Sequence, residues 1–277
     1  MTRTARMVAA YRGWASERWP ELAVDPYARA LGGDDGEAEA HGYLDAHPHM
    51  PLYMALRTSV LDDEVRDAIA RGTRQIVILG AGYDTRAARL AASEVRFFEV
   101  DLPDTQAEKR ARAAALPGYP ADAARYVPCD FEKDDFLDRL AAEGFDIARP
   151  AVVLWEGVVY YLTEAAVRAT LRRVASGTHP ATRILFDLVG KRFVDGDLKD
   201  PRDLEARERV ARMGEPLRFG TNDILPILVA EGFRFVDVRS FDEIALRYTG
   251  TYDRARTMRF QLLAAASVAP PAQPGWR

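Results

Sequence analysis

Short apolar segments alternate with helical patterns through the middle and the C-terminal part of the chain. The predicted strands cover residues 75–79, 95–100, 125–128, 151–155 and 183–189. The helices predicted between them cover residues 85–92, 104–116, 133–143 and 163–176. This alternation predicts an α/β fold in which a mostly parallel sheet carries helices on both faces.

The residues that precede the first strand do not follow this alternation. They contain a break rich in Gly, Asp and Glu at 32–39 and a strong helical pattern over 52–70. In that helix the apolar residues recur at the spacing of one face, as at Leu56, Val60 and Leu61. We interpret residues 1–72 as an N-terminal helical cap on a sheet domain that covers 73–270.

A second departure is the charged stretch 191–220, which follows the fifth predicted strand and has a helical pattern over 202–213. We interpret this stretch as an insertion. The chain then returns to a helix over 222–231 and to two strands, 234–241 and 257–267, which would close a seven-stranded sheet as an antiparallel edge pair. The Pro-rich end, 271–277, is predicted to fray.

Composition excludes several classes of protein. A chain of 277 residues with 48% hydrophobic and 29% charged residues is long enough for one large globular domain with an appendage. The net charge of −4 and the scattered arginines argue against a nucleic-acid surface. Cys129 is the only cysteine, so an intramolecular disulfide or a Cys-based zinc cluster has no second residue to use. Without an apolar segment of membrane-spanning length or a signal peptide, we expect a cytoplasmic protein with no metal and no membrane partner.

A glycine turn follows the first strand, where Gly80, Ala81 and Gly82 precede a predicted helix. Glycine lets the backbone approach a ligand closely, and a helix start offers free N–H groups and a positive dipole end. The dinucleotide-binding motif would have a third glycine at the position of Thr85, which argues against a pyrophosphate ligand. The pattern is also compatible with an ordinary strand-to-helix turn.

Acidic residues follow the next two strands. Glu99 and Asp101 lie about 20 residues after Gly80, where a carboxylate can accept hydrogen bonds from both hydroxyls of a ribose. We favour Asp101 because it ends its strand, although both acids could be solvated. Asp130 and Phe131 end the third strand and could bind and cover an adenine ring, or Asp130 could instead cap the helix predicted at 133.

The fourth strand is followed at once by Glu156, which the topology places at the same edge of the sheet. Tyr160 and Tyr161 come next and could face a pocket, although such aromatic pairs more often belong to the core. Histidines are absent from these motifs. His47 and His49, in the cap, could supply a base or a pair of metal ligands, but loop histidines are more often surface residues.

These segments together resemble the leucine carboxyl methyltransferase family, especially its bacterial branch of S-adenosylmethionine-dependent methyltransferases. A further match is Arg57-Thr58 with Asp62 in the predicted helix before the sheet. The matching residues are Leu79-Gly80-Ala81-Gly82-Tyr83-Asp84-Thr85, Phe98-Glu99-Val100-Asp101-Leu102-Pro103, Cys129-Asp130-Phe131 and Glu156-Gly157-Val158-Val159-Tyr160-Tyr161-Leu162.

The resemblance implies the Rossmann-like fold of class I methyltransferases and S-adenosylmethionine as the cofactor. It implies that Arg57 and the turn at Gly80 hold the methionine end of the cofactor. Asp101 would bind the ribose, Asp130 and Phe131 the adenine, and Glu156 the region of the amino group. The cap and the insertion at 191–220 would shape the substrate side, where the insertion would act as a lid.

Methyl transfer from a sulfonium requires alignment of the acceptor and exclusion of water, and no covalent protein intermediate. A carboxylate acceptor, with a pKa near 4, is already ionised at neutral pH, whereas a phenol, with a pKa near 10, gains from a base. Because the motifs lack histidine, we expect O-methylation of a small-molecule carboxylate. The resemblance implies that this acceptor is a secondary metabolite such as an aromatic polyketide acid.

Three other functions stay open at this stage: methylation of a phenolic hydroxyl, an NAD-linked oxidoreductase, and a cofactor-binding protein without turnover. The catalytic residues are not identified by the sequence, and Tyr160, Tyr161, His47 and His49 are the candidates on the substrate side. The pattern does not predict an oligomeric state.

Overall fold

A computed structural model describes residues 2–45, 47–131, 133–251 and 260–270. Its centre is one seven-stranded sheet with the strand order β3-β2-β1-β4-β5-β7-β6. Strands β1 to β5 pair in parallel, and β7 is antiparallel to both β5 and β6. The strands are β1 Gln75–Leu79, β2 Arg96–Asp101, β3 Ala124–Pro128, β4 Val152–Trp155, β5 Arg183–Val189, β6 Phe235–Ser240 and β7 Gln261–Ser267.

Helices precede the sheet, connect its strands and form most of the insertion. A 3-10 helix, Val159–Tyr161, follows β4. The α-helices are α1 Thr2–Arg18, α2 Ala28–Leu44, α3 Met50–Ala70, α4 Arg86–Arg89, α5 Pro103–Ala114, α6 Phe136–Ala142, α7 Glu164–Gly177, α8 Lys191–Asp195, α9 Pro201–Arg212, α10 Leu225–Ala230 and α11 Phe241–Thr249. None of the helices in the described ranges is long and apolar enough to cross a membrane.

The central strands are buried on both faces, as their continuous apolar sequences predict. Alternate residues of β1 enter different hydrophobic clusters because successive side chains of a strand point to opposite faces. Ile76 and Ile78 pack in one cluster with Leu56 and Val60 of α3. The other cluster contains Val77 and Leu79 with residues of α6 and α7. Helix α3 therefore covers one face of the sheet directly, and it brings its polar residues to the ends of the strands.

The predicted α/β fold with a seven-stranded, mostly parallel sheet is confirmed, and strands β1 and β5 have the predicted bounds. The insertion contains the predicted helix, as α9, with Asp200 as its N-cap. The last predicted strand, 257–267, is described from residue 260 onward, and its first residues and the end 271–277 lie outside the described residues.

The predicted break at 32–39 is wrong, because these residues lie within α2, which is kinked at Gly33 where φ is 62°. The glycines serve close packing between helices. A Cβ atom on Gly36 would lie 2.5 Å from the backbone oxygen of Arg6, and one on Gly32 would lie 3.0 Å from the backbone nitrogen of Ala10. The glycines of this segment, which are typical of a loop, here lie in the contact surface between α1 and α2.

Two helix starts also differ from the prediction. The helix after the glycine turn is the single turn α4 rather than 85–92, and Asp84 accepts a hydrogen bond of 2.6 Å from the backbone nitrogen of Arg86 at its start. Asp130 is not the cap of the next helix. That helix, α6, begins at Phe136, and its N-cap is Asp135, which accepts from the backbone nitrogens of Leu137 and Asp138.

Candidate functional site

The carboxyl ends of β1 and β4 meet at the glycine turn. Gly80 has a φ of +65°, and its backbone nitrogen donates to the carbonyl oxygen of Val100 at 2.7 Å. A Cβ atom on Gly80 would collide with the side chain of Val158, in the segment after β4. Glycine is therefore required at this position by its backbone conformation and by the close approach of that segment.

Asp101 ends β2 and fixes the turn from the neighbouring strand. Its two carboxylate oxygens accept hydrogen bonds from the backbone nitrogens of Gly82, at 2.6 Å, and Leu102, at 2.7 Å. The residue is 8% exposed, and burial raises its pKa. Because each carboxylate oxygen can accept more than one hydrogen bond, Asp101 keeps acceptor capacity for a ligand.

Glu99 is also buried, so neither of the two acids is a solvated strand-end residue. Its carboxylate lies 2.5 Å from the Nζ atom of Lys109, a buried lysine of α5 that also donates to the backbone oxygen of Asp84. Burial raises the pKa of Glu99 to about 7 against the opposing effect of Lys109. Of the two acids, Asp101 accepts hydrogen bonds from backbone N–H groups, whereas Glu99 is paired with a lysine.

Arg57 of α3 reaches the end of β4. The residue is 1% exposed, with Nε 2.7 Å from Glu156 Oε1 and Nη1 2.8 Å from Asp187 Oδ2. Asp187 also accepts hydrogen bonds from the hydroxyl of Tyr53, at 2.9 Å, and from the backbone nitrogen of Gly157, at 2.6 Å. A helix arginine, which is solvated by default, is here enclosed between two carboxylates.

Glu156 is shared by two arginines. Its Oε2 accepts a hydrogen bond of 2.6 Å from Nη1 of Arg86, while its Oε1 faces Arg57. Arg86 also donates from Nε to Asp62 of α3 at 2.8 Å and contacts Asp84. Burial alone would raise the pKa of Glu156, but Arg86 and Arg57 lower it to about 2. We refer to Arg57, Arg86, Asp62, Glu156 and Asp187 as the Arg57 cluster.

Sequence reasoning missed Arg86 and Asp187. Arg86 directly follows the last residue of the matched glycine motif, and Asp187 is the one acid in a strand that is otherwise apolar from Ile184 to Val189. A lone acid in a fully buried strand is a usable signal, because a buried charge needs a partner. Asp62, which was noted only beside Arg57, binds Arg86 and also Arg89.

Asp130 and Phe131 lie at the end of β3, which pairs with β2 through Asp101 and Pro128. The Asp130 carboxylate is 2.6 Å from Lys133 Nζ, and both Asp130 and Phe131 are partly exposed. In the order of the strands, the edge therefore presents Asp130 and Phe131, then Asp101, then the turn at Gly80, and then Glu156.

Tyr160 and Tyr161 form the 3-10 helix, with ring centroids 4.7 Å apart. Tyr160 lies beside Arg57, and burial raises the pKa of its hydroxyl. Its backbone oxygen accepts a hydrogen bond of 2.7 Å from the backbone nitrogen of Arg218, in the insertion. Tyr160 thus joins the Arg57 cluster to the insertion.

His47 is not a surface residue. It is 5% exposed, stacked on Tyr43 with 5.3 Å between centroids, and in edge contact with Phe193 of α8 at 6.2 Å. His49, at the N-cap of α3, is partly buried. Within the described ranges, no group of three His, Cys, Asp or Glu side chains is arranged to hold a metal ion. The contacts place His47 between the cap and the insertion.

Stability should depend on pH through His47, because burial lowers its pKa from 6.5 to about 4. Between these values the unfolded chain binds a proton that the folded protein does not, so the free energy of unfolding rises with pH in this window. From pH 6.5 down to 4 the loss due to His47 should reach up to about 3 kcal/mol. Urea unfolding at a series of pH values measures it.

His47→Gln should flatten this pH dependence between pH 4 and 6.5. His41→Gln is the matched control, because His41 lies on α2 and is exposed. An unchanged slope in the His47 variant would assign the acid sensitivity to other groups.

The strand order and the single antiparallel strand β7 are those of the class I methyltransferase fold, and the polar residues gather at the carboxyl ends of its strands. A sequence profile of the leucine carboxyl methyltransferase family matches residues 5–175. The chain belongs to this family and is an S-adenosylmethionine-dependent methyltransferase.

Relatives agree with this assignment, and a solved structure shares the fold. A Mycobacterium avium protein with the provisional name S-adenosyl-L-methionine-dependent methyltransferase is 37% identical over 234 residues, covering 80% of this chain and 76% of the relative. A Mycobacterium bovis protein of the same name is 32% identical over 291 residues, covering 92% and 94%. The crystal structure of a Thermobifida fusca protein, provisionally named a methyltransferase, has a TM-score of 0.65 at 16% identity and covers 96% and 95% of the two chains.

The position of Thr85 is unsuited to a dinucleotide. A dinucleotide turn has a glycine there, whereas Thr85 is fully buried and donates a hydrogen bond of 2.6 Å to Asp25. S-adenosylmethionine has no phosphate, and its groups match the edge of the sheet. Asp101 has spare acceptor capacity, and two buried arginine nitrogens, Arg57 Nε and Arg86 Nη2, have no hydrogen-bond partner among the described residues.

Proposed function

We propose that this methyltransferase transfers a methyl group to the carboxylate of a small molecule, such as an aromatic polyketide acid, in the cytoplasm. The observation that supports the proposal is the chemistry around the Arg57 cluster. The side chains beside it are the tyrosines Tyr53 and Tyr160, whose pKa values are raised by burial, so they are hydrogen-bond donors at neutral pH. A carboxylate is the acceptor that needs no base.

The proposed cofactor site follows the edge of the sheet. Asp130 and Phe131 bind the adenine and Asp101 binds the ribose, while the turn Gly80-Ala81-Gly82 lies against the cofactor's sugar and methionine parts. Arg57 binds the α-carboxylate, and Glu156 lies beside the α-ammonium group. S-adenosylmethionine supplies an electrophilic methyl group on a sulfonium; the residues of this chain bind and orient the two reactants and exclude water.

The acceptor side is proposed to lie under the insertion 191–220, which acts as its lid, with the cap 1–72 as its other wall. The contact between Arg218 and the backbone oxygen of Tyr160 supports this placement, because it joins the insertion to the segment after Glu156. The aromatic contact between His47 and Phe193 supports it from the side of the cap. Tyr160 and Tyr161 then face the acceptor as positioning residues.

A panel of aromatic acids and their matching phenols, incubated with methyl-labelled cofactor, tests the acceptor. We expect labelled methyl esters from the acids. The value of kcat/KM for an acid should be nearly constant between pH 6 and 9, because a carboxylate with a pKa near 4 is ionised throughout this range. With a phenol the rate would instead rise with pH.

Tyr160→Phe is the matched control variant for this panel, because it removes the hydroxyl and keeps the ring. We expect it to leave the shape of the pH profile unchanged, since Tyr160 does not act as a base. Labelling of the phenols alone, or a pH profile that Tyr160→Phe abolishes, would overturn the carboxylate proposal and favour the phenolic acceptor.

A further inference from the structure

Arg86 is held on three sides by buried carboxylates. The residue is 1% exposed, its Nε donates to Asp62, and its Nη1 contacts both Asp84 and Glu156. These contacts come from α3, the glycine turn and the end of β4. A planar guanidinium with two nitrogens fixed in this way has no rotational freedom, so the direction of its third nitrogen, Nη2, is fixed as well.

That third nitrogen is an unused donor. Arg86 Nη2 is completely buried and has no hydrogen-bond partner among the described residues. A buried donor without an acceptor destabilises the folded protein, and a charged donor does so more strongly. Buried polar groups in proteins are usually satisfied by another protein group, a water molecule, an ion or a ligand.

A second unused donor lies across the same carboxylate. Arg57 Nε is 2.7 Å from Glu156 Oε1, but the pair lacks the geometry of a hydrogen bond, and this nitrogen too is without a hydrogen-bond partner in the described parts of the chain. Two arginines that flank one glutamate thus each retain a buried donor. Two cationic donors at one place are suited to an anion, and a carboxylate above all, because its two oxygens can accept from both.

We propose that Arg86 is a second anchor for the α-carboxylate of S-adenosylmethionine, with Nη2 as the donor and Arg57 as the other anchor. The inference rests on the proposed placement of the methionine end beside Arg57. The α-carboxylate is the one anionic group of this cofactor. Asp62, Asp84 and Glu156 are positioning residues, since they hold the guanidinium so that Nη2 is directed before the cofactor arrives.

Arg86 also supplies a positive charge that the short helix after the glycine turn does not provide. The sequence pattern predicted that a helix start after the glycine turn would offer a positive dipole end. Helix α4 is only four residues long, and such a single turn sums few peptide dipoles. Arg86, its first residue, supplies a full positive charge at the same place.

The experiment compares calorimetric binding of S-adenosylmethionine and decarboxylated S-adenosylmethionine, which keeps the adenosine, the sulfonium and the amine. The variants are Arg86→Met, which removes the charge, and Arg86→Lys, which keeps the charge but not the planar fork. We expect each to bind S-adenosylmethionine at least tenfold more weakly and the decarboxylated ligand within threefold of wild type. If Arg86→Met does not fold in thermal unfolding, Arg86→Lys alone decides.

Arg89→Lys is the matched control. Arg89 lies on the same turn and binds the same Asp62, but its other side-chain contacts are with Thr85, Asp25 and the backbone oxygen of Val24. It should change the affinity for both ligands by the same factor. Equal weakening of both ligands in the Arg86 variants would overturn the anchor and leave Arg86 a structural residue.

The failure of the anchor and the failure of the proposed site are distinguishable. A first outcome is that Arg57→Lys weakens binding of S-adenosylmethionine alone while the Arg86 variants weaken both ligands equally or neither. In that case the inference about Arg86 is wrong and the placement of the methionine end stands. If the wild-type protein binds both ligands with equal affinity, no residue binds the α-carboxylate. The inference about Arg86 and the placement of the methionine end are then both wrong.

Discussion

Replacing Glu156 with alanine is expected to lower the free energy of unfolding by about 3–5 kcal/mol, because it leaves two buried arginines facing each other without their shared carboxylate. Both guanidiniums are 2% exposed, so water cannot replace the lost partner. Arg86 and Arg57 lower the pKa of Glu156 to about 2, so this carboxylate is charged in the folded protein at neutral pH. Urea unfolding at pH 7 measures the change.

Glu231→Ala is the matched control for this prediction. Glu231 is also a buried glutamate that binds two arginines, with Arg168 Nη1 at 3.0 Å and Arg172 Nη2 at 2.8 Å. These arginine side chains are 33% and 65% exposed, so they return to water when the carboxylate is removed. The expected loss is therefore about 1 kcal/mol or less.

The contrast between the two glutamates tests whether the Arg57 cluster is a desolvated charge network. Similar losses in both variants would show that water reaches Arg57 and Arg86. Glu156→Gln should lie between wild type and Glu156→Ala, because an amide keeps one acceptor for a guanidinium but does not carry the balancing charge. The slope m of the urea transition should stay constant across the series, since none of these changes alters the surface exposed on unfolding.

The parts of the fold that the sequence predicted well are those in which local pattern and burial agree. Strand β1 is apolar after Gln75, and β5 is apolar from Ile184 onward except for Asp187; the predicted bounds of both strands match. The segment 32–39 failed for the opposite reason. Its glycines and acids are typical of a loop, yet Gly32 and Gly36 lie in a helix because α1 packs closely against them. That packing is a tertiary effect that local composition does not contain.

The candidate site was predictable wherever a residue ends a strand. Asp101 and Glu156 lie at the carboxyl edge of the sheet, as the topology required, and Arg57 was found through the family motif. Arg86 and Asp187 were not, because their importance depends on which charges the fold encloses together. A sequence shows that Arg86 follows a turn; it does not show that α3 brings Asp62 to its Nε.

Replacing Asp101 with asparagine is expected to weaken S-adenosylmethionine binding by about 10- to 100-fold, the effect of losing one or two hydrogen bonds to a charged acceptor. Both carboxylate oxygens already accept from backbone nitrogens, those of Gly82 and Leu102. An asparagine must therefore direct its amide group at one of these N–H groups, donor against donor. The turn at Gly82 would shift, and the acceptor capacity for the ribose would fall.

Glu99→Gln is the matched control on the same strand. Glu99 is fully buried and Asp101 nearly so, but the Glu99 carboxylate is bound by Lys109. Because burial raises the pKa of Glu99 to about 7, a neutral amide resembles its protonated form. Calorimetric affinity for S-adenosylmethionine should stay within about threefold of wild type, a free-energy change below 1 kcal/mol.

A pair of ligands that differ in one ribose hydroxyl shows whether Asp101→Asn weakens binding through a lost contact to the ribose or only through a displaced turn. In the wild-type protein, 5′-methylthioadenosine should bind about tenfold more tightly than its 2′-deoxy analogue, because the missing hydroxyl no longer donates to Asp101. In Asp101→Asn this difference should disappear, since the acceptor is gone already, whereas Glu99→Gln should retain it. If the 2′-deoxy penalty persists in Asp101→Asn, another residue holds the ribose, and the weakening comes from the distorted turn alone. This comparison is a double-mutant cycle in which the second change is made in the ligand. A shift of the backbone in the variant weakens both ligands alike, so it cancels in the ratio of their affinities, and the remaining difference reports the contact between Asp101 and the hydroxyl.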